Sequence, residues 1–243
     1  MLHIYLCAFF NKNYIEEAKV CIESLRTTGN FAGPVYLFTD QDVSIDGVNI
    51  LHVTCGSVSL SACYRTRLFE HIKDFSSDDI FLYLDTDIVV LKPLPSFDSI
   101  GDKIQVYGYP SRTQKEASFS GFITDDVHYT SKPAICTGIL LFRPSTNVKN
   151  VFDKTYTLYL DLLKKGKLNA CWEQPALCFT LIEQDMYDIS LNESVYEERT
   201  RGAIHDVHIF NHFCGLRGDV RYMHMKQYLQ NGSRCRAKVY LDL

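Results

Sequence analysis

Two aspartates, Asp85 and Asp87, interrupt an otherwise apolar run between Ile80 and Leu91. Ionised carboxylates in apolar surroundings are costly unless they are paired or bind a metal ion. If the chain is extended here, both side chains point to one face at the end of a strand, where open α/β sheets bind their ligands. Carboxylate oxygens suit magnesium or manganese, which proteins often hold together with substrate phosphates. The spacing therefore predicts a divalent metal site at these two residues.

The same two residues also allow a purely structural interpretation, because aspartates are common in turns. In that case Asp85 caps a turn and Asp87 is solvated. The apolar sequence on both sides leaves little surface for a solvated loop, and this favours the metal site.

The overall composition is that of a folded protein. The chain has 243 residues, 46% of them hydrophobic and 22% charged, and we expect one domain over 1–243. A net charge of −4 argues against nucleic acid as a partner. Nine cysteines without a CxxC pair favour free thiols in a reducing compartment. With no signal-peptide pattern and no apolar run of membrane-spanning length, we predict a cytoplasmic protein without a membrane span.

The elements that must position the aspartates alternate between strand and helix patterns. We predict strands at 3–10, 35–39, 48–53, 81–84, 88–90, 104–109 and 135–142, and helices at 14–28, 61–73, 150–165 and 172–184. The polar stretch 111–132 is expected to be a lid or binding loop that selects the second substrate. This order indicates an α/β fold, with a mixed central sheet flanked by helices in a Rossmann-like domain.

Several other residues are candidates for the same site. Asn11 and Tyr14 follow the first strand, where a nucleotide would meet a helix N-terminus. Arg67 is equally compatible with a phosphate ligand and a surface residue, whereas Arg65 is expected at the surface. A strand through 207–213 would place His208 and His212 on one face, and a third metal ligand would come from there.

At this point the sequence resembles the glycogenin-like retaining glycosyltransferases of the GT-A fold, a family that also includes bacterial lipopolysaccharide galactosyltransferases. Five motifs occur in the family's order between Ile4 and about Gly215. They are the first-loop NKNY, an Arg-Leu before the DxD, the DxD itself in YLDTDIVVL, an acidic-Gln pair, and HFCG near the C-terminus. The resemblance implies a single GT-A domain and a UDP-sugar transferase.

The resemblance also implies roles for individual residues. Asp85, Asp87 and His212 would bind Mn²⁺ or Mg²⁺. Glu173 and Gln174 would lie near the anomeric carbon as catalytic residues. The UDP-sugar would be bound by residues of these motifs and of the strand motif at Cys136-Thr137-Gly138, namely Asn11, Tyr14, Arg67, Asp85, Thr86, Gly138 and Gly215. Arg217 or Arg221 would assist at the phosphates.

Three departures from the family pattern keep a second function open. The strand motif reads Cys136-Thr137-Gly138 instead of Asn-Ser/Ala-Gly, Glu173 replaces an Asp, and the Lys-Pro-Trp that follows HFxG is absent. We expect transfer from a UDP-sugar, UDP-glucose or UDP-galactose first, to a hydroxyl of a glycan, protein or lipid, with retention. The alternative is a nucleotide-sugar binding protein without activity. A sugar-nucleotide pyrophosphorylase is disfavoured, because no Gly-rich basic loop follows the first strand.

Overall fold

The computed structural model describes residues 1–167, 171–197, 204–214 and 218–231. These residues form a mixed α/β structure with a central sheet flanked by helices, a Rossmann-like arrangement that confirms the predicted fold class. The strands are β1 Leu2–Ala8, β2 Val35–Thr39, β3 Asn49–His52, β4 Ile80–Leu84, β5 Ile88–Val90, β6 Ile104–Thr113, β7 Pro133–Phe142, β8 Tyr187–Asp188, β9 Val195–Glu197 and β10 Phe210–His212. The helices are α1 Lys12–Arg26, α2 Val58–Ser61, α3 Leu68–His71, α4 Val127–Thr130, α5 Thr146–Lys164, α6 Gln174–Glu183 and α7 Gly218–Asn231.

The central sheet has seven strands in the order β3-β2-β1-β4-β7-β6-β8. The first four run parallel, so β1 and β4 end at the same edge of the sheet. Strand β7 runs antiparallel to β4 and β6, which brings its N-terminal half to that edge as well. All five residues of β4 are buried, because helices cover both faces of the sheet at this point.

A second, three-stranded sheet begins where the DxD segment leaves the central sheet. Its order is β5-β10-β9, with β5 antiparallel to β10 and β9 parallel to β10. The chain turns at Thr86 and Asp87 between β4 and β5, so the segment is not extended as the sequence prediction supposed. The turn therefore joins the two sheets and carries both aspartates.

The segment 61–73 is not the continuous helix predicted from the sequence. It forms the end of α2, a 3-10 helix at Ala62–Thr66 and the short helix α3. Three residues per turn place Cys63 and Thr66 on the same side, and the Thr66 hydroxyl donates to the Cys63 carbonyl at 2.8 Å. Both residues are buried.

Two further secondary-structure predictions are wrong. The stretch 111–132 is not structureless, because it contains the end of β6, a 3-10 helix at Ser120–Phe122 and α4. The buried Gln114 side chain accepts from Ser120 and donates to the Pro133 carbonyl, which holds this connection together. The predicted strand through 207–213 is shortened to β10, and His208 lies outside it. Within the described residues, no helix has both the length and the apolar composition needed to cross a membrane.

The prediction that follows from the fold concerns Ser24, which ties α1 to β5. Its buried hydroxyl donates to the Cys21 carbonyl at 2.6 Å and accepts from the Val90 amide at 2.9 Å. In Ser24→Ala the Val90 N–H loses its acceptor, so the free energy of unfolding should fall by about 1–3 kcal/mol. Urea unfolding measures the loss.

The matched control is Thr27→Ala on the same helix. The Thr27 hydroxyl also donates to a backbone carbonyl, that of Glu23 at 2.7 Å, but it is exposed. Removing it should change stability by less than about 0.5 kcal/mol. Equal losses in the two variants would contradict the structural role assigned to Ser24.

Candidate metal and nucleotide site

Asp85, Asp87 and His212 meet where the two sheets join. Asp85 directly follows β4, and its backbone amide donates to the Gly138 carbonyl of β7 at 2.8 Å. His212 is the last residue of β10 and faces Ile88 in the antiparallel register. One ligand atom from each of the three side chains lies within 4.8 Å of the other two. The structure thus brings together the three residues predicted to bind a metal.

In each aspartate, one carboxylate oxygen contacts an arginine and the other lies toward His212. Asp85 Oδ1 accepts from the Tyr83 hydroxyl at 2.5 Å and lies 3.2 Å from Arg65 Nη1. Asp87 Oδ2 accepts from Arg221 Nη1 at 2.7 Å. Asp87 Oδ1 lies 3.2 Å from His212 Nε2, and Asp85 Oδ2 has no hydrogen bond within the described residues. Two carboxylate oxygens and one imidazole nitrogen therefore remain, a donor set that fits Mn²⁺ or Mg²⁺.

Gly138 leaves the space between these ligand atoms open. A Cβ at this position would lie 2.8 Å from Asp85 Oδ2 and 3.0 Å from His212 Cε1. The first distance is shorter than real Cβ contacts and the second is tighter than most of them, so any other residue would push into the space that a cation needs. The close approach that the sequence predicted for this glycine is therefore present, but to protein ligand atoms.

Asp87 is buried rather than solvated, so the structural interpretation of this residue is wrong. Its side chain is 8% exposed and contacts the guanidinium of Arg221 and the imidazole of His212. Burial favours the neutral acid, but His212 and Arg221 outweigh it and hold the pKa of Asp87 at about 2. Burial lowers the pKa of His212, but the effect of the neighbouring Asp87 and Cys136 is larger and raises that pKa above its ordinary value. Asp87 is thus a stable anion at neutral pH.

Arg221 connects Asp87 to a buried glutamate that the sequence analysis missed. Glu17 accepts from Arg221 Nε at 2.8 Å and from Nη2 at 2.9 Å, a bidentate pair. It also accepts from the Thr86 hydroxyl at 2.9 Å, so the Thr86 side chain belongs to this network, and its contact with a nucleotide stays a prediction. A signal was available, because Glu17 lies one helical turn before the buried Cys21 on the apolar face of α1.

Arg65, not Arg67, is the arginine beside the DxD, so the prediction of a surface position for Arg65 is wrong. Its side chain is 15% exposed, lies 2.6 Å from Glu173 Oε1 through Nε, and donates to the Thr137 carbonyl at 2.7 Å. Arg67 instead pairs with Glu70 and stacks over Tyr156. The structure does not bring Arg67 to the aspartates, and its contact with a phosphate stays a prediction.

The two candidate catalytic residues are Glu173, which contacts Arg65, and Gln174, which contacts Thr137 beside Arg65. Burial raises the pKa of Glu173 to about 7, although Arg65 opposes this shift. Gln174 accepts from the Thr137 hydroxyl at 3.2 Å and donates to the Ser118 carbonyl at 3.0 Å. Both side chains are thus engaged by the protein.

A cleft of about 470 Å³ opens beside the aspartates. Asn11 and Tyr14 line it with Asp85, Asp87 and Arg221, and the contact of the first two with a nucleotide stays a prediction. The Asn11 side chain also accepts from the Asn13 amide at 2.9 Å and so caps α1. The remaining lining comes from residues with mainly apolar or small side chains: Cys7, Phe9, Phe10, Val58, Ser61, Ala62, Thr86 and Trp172.

Gly215, Arg217 and His208 complete the set of residues predicted from the sequence. Gly215 and Arg217 lie outside the described residues. His208 does not reach the aspartates, because its Nδ1 accepts from the His205 amide at 2.9 Å in the turn before β10.

The site combines a Rossmann-like sheet edge, a pair of aspartates with a histidine, and an adjoining cleft. A comparison of the sequence with known protein families and with curated proteins found no match.

Gly138→Ala tests whether a cation binds between the two aspartates and His212. The added methyl would displace Asp85 Oδ2 or the His212 ring, and disturbing ligand orientation typically weakens metal binding by about 10-fold to 100-fold. Calorimetric titration with Mn²⁺ measures this. Gly101→Ala is the control, because no atom lies within 4 Å of a Cβ there. Unchanged affinity in Gly138→Ala would place the cation elsewhere.

A pH prediction follows from the raised pKa of Glu173. Between pH 4.5 and about 7 the folded protein keeps a proton on Glu173 that the unfolded chain has released. The contribution of this residue to stability is therefore present below that window and lost as pH rises through it. Glu173→Gln should flatten the fall in unfolding free energy between pH 5 and pH 7.5, measured by urea unfolding.

The matched control for this experiment is Glu183→Gln on the same helix, where the carboxylate pairs with Lys154 at the surface. This variant should keep the pH dependence of the wild-type protein. If Glu173→Gln loses stability with pH as steeply as wild type, Glu173 is ionised throughout the window and the raised pKa is wrong.

Proposed function

We propose that the protein transfers a sugar from a UDP-sugar to a hydroxyl acceptor with the help of Mn²⁺ or Mg²⁺. One observation carries the proposal. Asp85, Asp87 and His212 converge within 4.8 Å, beside a cleft that extends to Asn11 and Tyr14 at the start of α1. A metal site next to a helix N-terminus at a sheet edge suits a nucleoside diphosphate.

The chemical problem in such a transfer is the leaving group, because UDP departs with developing negative charge. A divalent cation held by Asp85, Asp87 and His212 would act on the diphosphate as a Lewis acid. Arg221 holds Asp87 in place through its 2.7 Å contact, so the carboxylate does not have to reorganise on binding. Arg65 is held likewise between Asp85 and Glu173, and adds positive charge beside the metal ligands.

Glu173 contributes by fixing Arg65, and a direct role at the sugar stays a prediction. The glutamate is 2% exposed and lies 2.6 Å from Arg65 Nε. An anionic or polar group near the anomeric carbon would stabilise an oxocarbenium-like state, the role expected of Glu173 or Gln174. Retention of configuration and the choice of UDP-glucose or UDP-galactose as donor belong to the same proposal, as does a glycan, protein or lipid acceptor.

A cytoplasmic location is part of the proposal. The eight cysteines within the described residues are free thiols, which supports a reducing compartment.

A nucleotide-sugar binding protein without activity is the second candidate, and one observation favours it. Both candidate catalytic side chains are engaged by the protein: Glu173 pairs with Arg65, and Gln174 bonds to Ser118 and Thr137. Such a protein would bind UDP with metal and leave the sugar intact. The two candidates therefore differ in turnover and not in binding.

An NMR time course of purified protein with Mn²⁺ and a panel of UDP-sugars distinguishes them without knowledge of the acceptor. Slow hydrolysis of one donor is expected, and it should depend on metal. Asp87→Asn should abolish it, because the amide is a weaker ligand and weakens the pairing with Arg221. Asp102→Asn, at an exposed position away from the cleft, is the control and should hydrolyse donor normally.

Each other outcome has a defined meaning. Binding of UDP with metal but no hydrolysis, measured by calorimetry on the same samples, would replace the transferase by the binding protein. Failure of both would overturn the metal and nucleotide site. If one sugar is consumed, the anomer formed first reports retention or inversion.

A further inference from the structure

A second group of possible ligands lies on the other side of the His212 ring. Cys136, Glu197 and His212 each place one ligand atom within 4.8 Å of the other two. Cys136 Sγ lies 3.7 Å from His212 Nδ1, whereas Asp87 Oδ1 lies 3.2 Å from Nε2. The two groups therefore use different nitrogens of one imidazole.

The strands fix this second group without any loop. Glu197 and His212 are direct partners in the parallel pairing of β9 and β10, so their side chains leave the sheet on the same face. Cys136 belongs to β7 of the central sheet. The three residues are only 1–4% exposed. Ligands on buried strands are held in position before any ion binds.

The donor atoms differ in kind from those of the aspartate site. A thiol sulfur, a carboxylate oxygen and an imidazole nitrogen are the ligands of zinc, whereas two carboxylates and a histidine suit harder ions. We propose that Cys136, Glu197 and His212 form a second cation site, selective for a thiophilic divalent ion of the zinc class. An ion there would connect β7 of the central sheet to β9 and β10 of the small sheet.

His212 makes the two sites compete. A neutral imidazole has a lone pair on one nitrogen and a proton on the other. When Nδ1 binds an ion, Nε2 carries the proton and no longer offers a lone pair to an ion at Asp85 and Asp87. A zinc-class ion would therefore displace Mn²⁺ and inhibit turnover. Only this inhibition rests on the proposed function; the binding itself does not.

Cobalt(II) is the probe, because a cobalt–thiolate bond gives a charge-transfer absorption that oxygen and nitrogen ligands do not produce. Reduced, chelator-treated full-length protein is titrated with Co²⁺ and then with Zn²⁺. We expect the sulfur-to-cobalt band to appear and zinc to abolish it. Cys136→Ser should lose the band, and Glu197→Gln should reduce it. Absence of the band from the wild-type protein would overturn the proposal.

Two controls separate this site from its neighbours. Cys178→Ser replaces a cysteine that is as buried as Cys136 and contacts the adjacent Ile135 carbonyl at 3.5 Å, and it should keep the band. Asp85→Asn removes a ligand of the first site only, and it should also keep the band. Loss of the band in Asp85→Asn would mean one mixed site and contradict the proposal. Circular dichroism checks that each variant is folded.

A wild-type measurement covers the case in which Cys136→Ser does not fold. Zn²⁺ should raise the thermal midpoint of the wild-type protein, because ion binding stabilises the folded state. Glu197→Gln should reduce that rise, and no rise in wild type would count against the site. The hydrolysis assay with Mn²⁺ is independent: hydrolysis without a cobalt–thiolate band refutes this inference alone, whereas the band without hydrolysis refutes only the transferase.

Discussion

One constraint governs the arrangement of the site. Two carboxylates lie between buried strands, where an uncompensated charge is costly. Asp85 and Asp87 follow β4 at the point where the chain leaves the central sheet, with apolar strands before and after them. Anions in such a position need compensating charge. Two arginines supply it from distant parts of the chain, Arg65 beside Asp85 and Arg221 beside Asp87. Each arginine contacts one oxygen, and the other oxygens remain for an ion.

The same compensation organises the surrounding elements. Arg221 is itself held by Glu17 of α1, so the pairing fixes α7 against the N-terminal helix. Arg65 is held by Glu173 at the start of α6 and by the Thr137 carbonyl of β7. Two buried networks thus converge on three consecutive residues. Each charge in these networks has a partner of opposite sign, because an unpaired buried charge would be costly.

His212 has one neighbouring side chain on each of its two ring nitrogens. Its Nε2 faces Asp87 and its Nδ1 faces Cys136, so one ring stands between a set of oxygen ligands and a thiol. Metal-binding histidines usually have a polar partner on the second nitrogen, which fixes the ring. Here that partner is the thiol of Cys136, a group that can itself bind a metal ion. Under the two proposals, the ion bound at this junction would depend on which nitrogen carries the proton.

The sequence by itself determined the α/β class and most strands, because hydrophobic period is a local signal. It also singled out Asp85, Asp87 and His212, which the fold brings within 4.8 Å of one another, although their role as metal ligands stays a prediction. The tertiary structure decided the rest. Arg65 and Arg67 are indistinguishable locally, and only the 3-10 winding of Ala62–Thr66 turns the first one inward. Glu17 and Arg221 meet across 204 residues, and the pairing of Cys136 with His212 requires both sheets. Contacts between distant segments leave no periodic trace in the sequence.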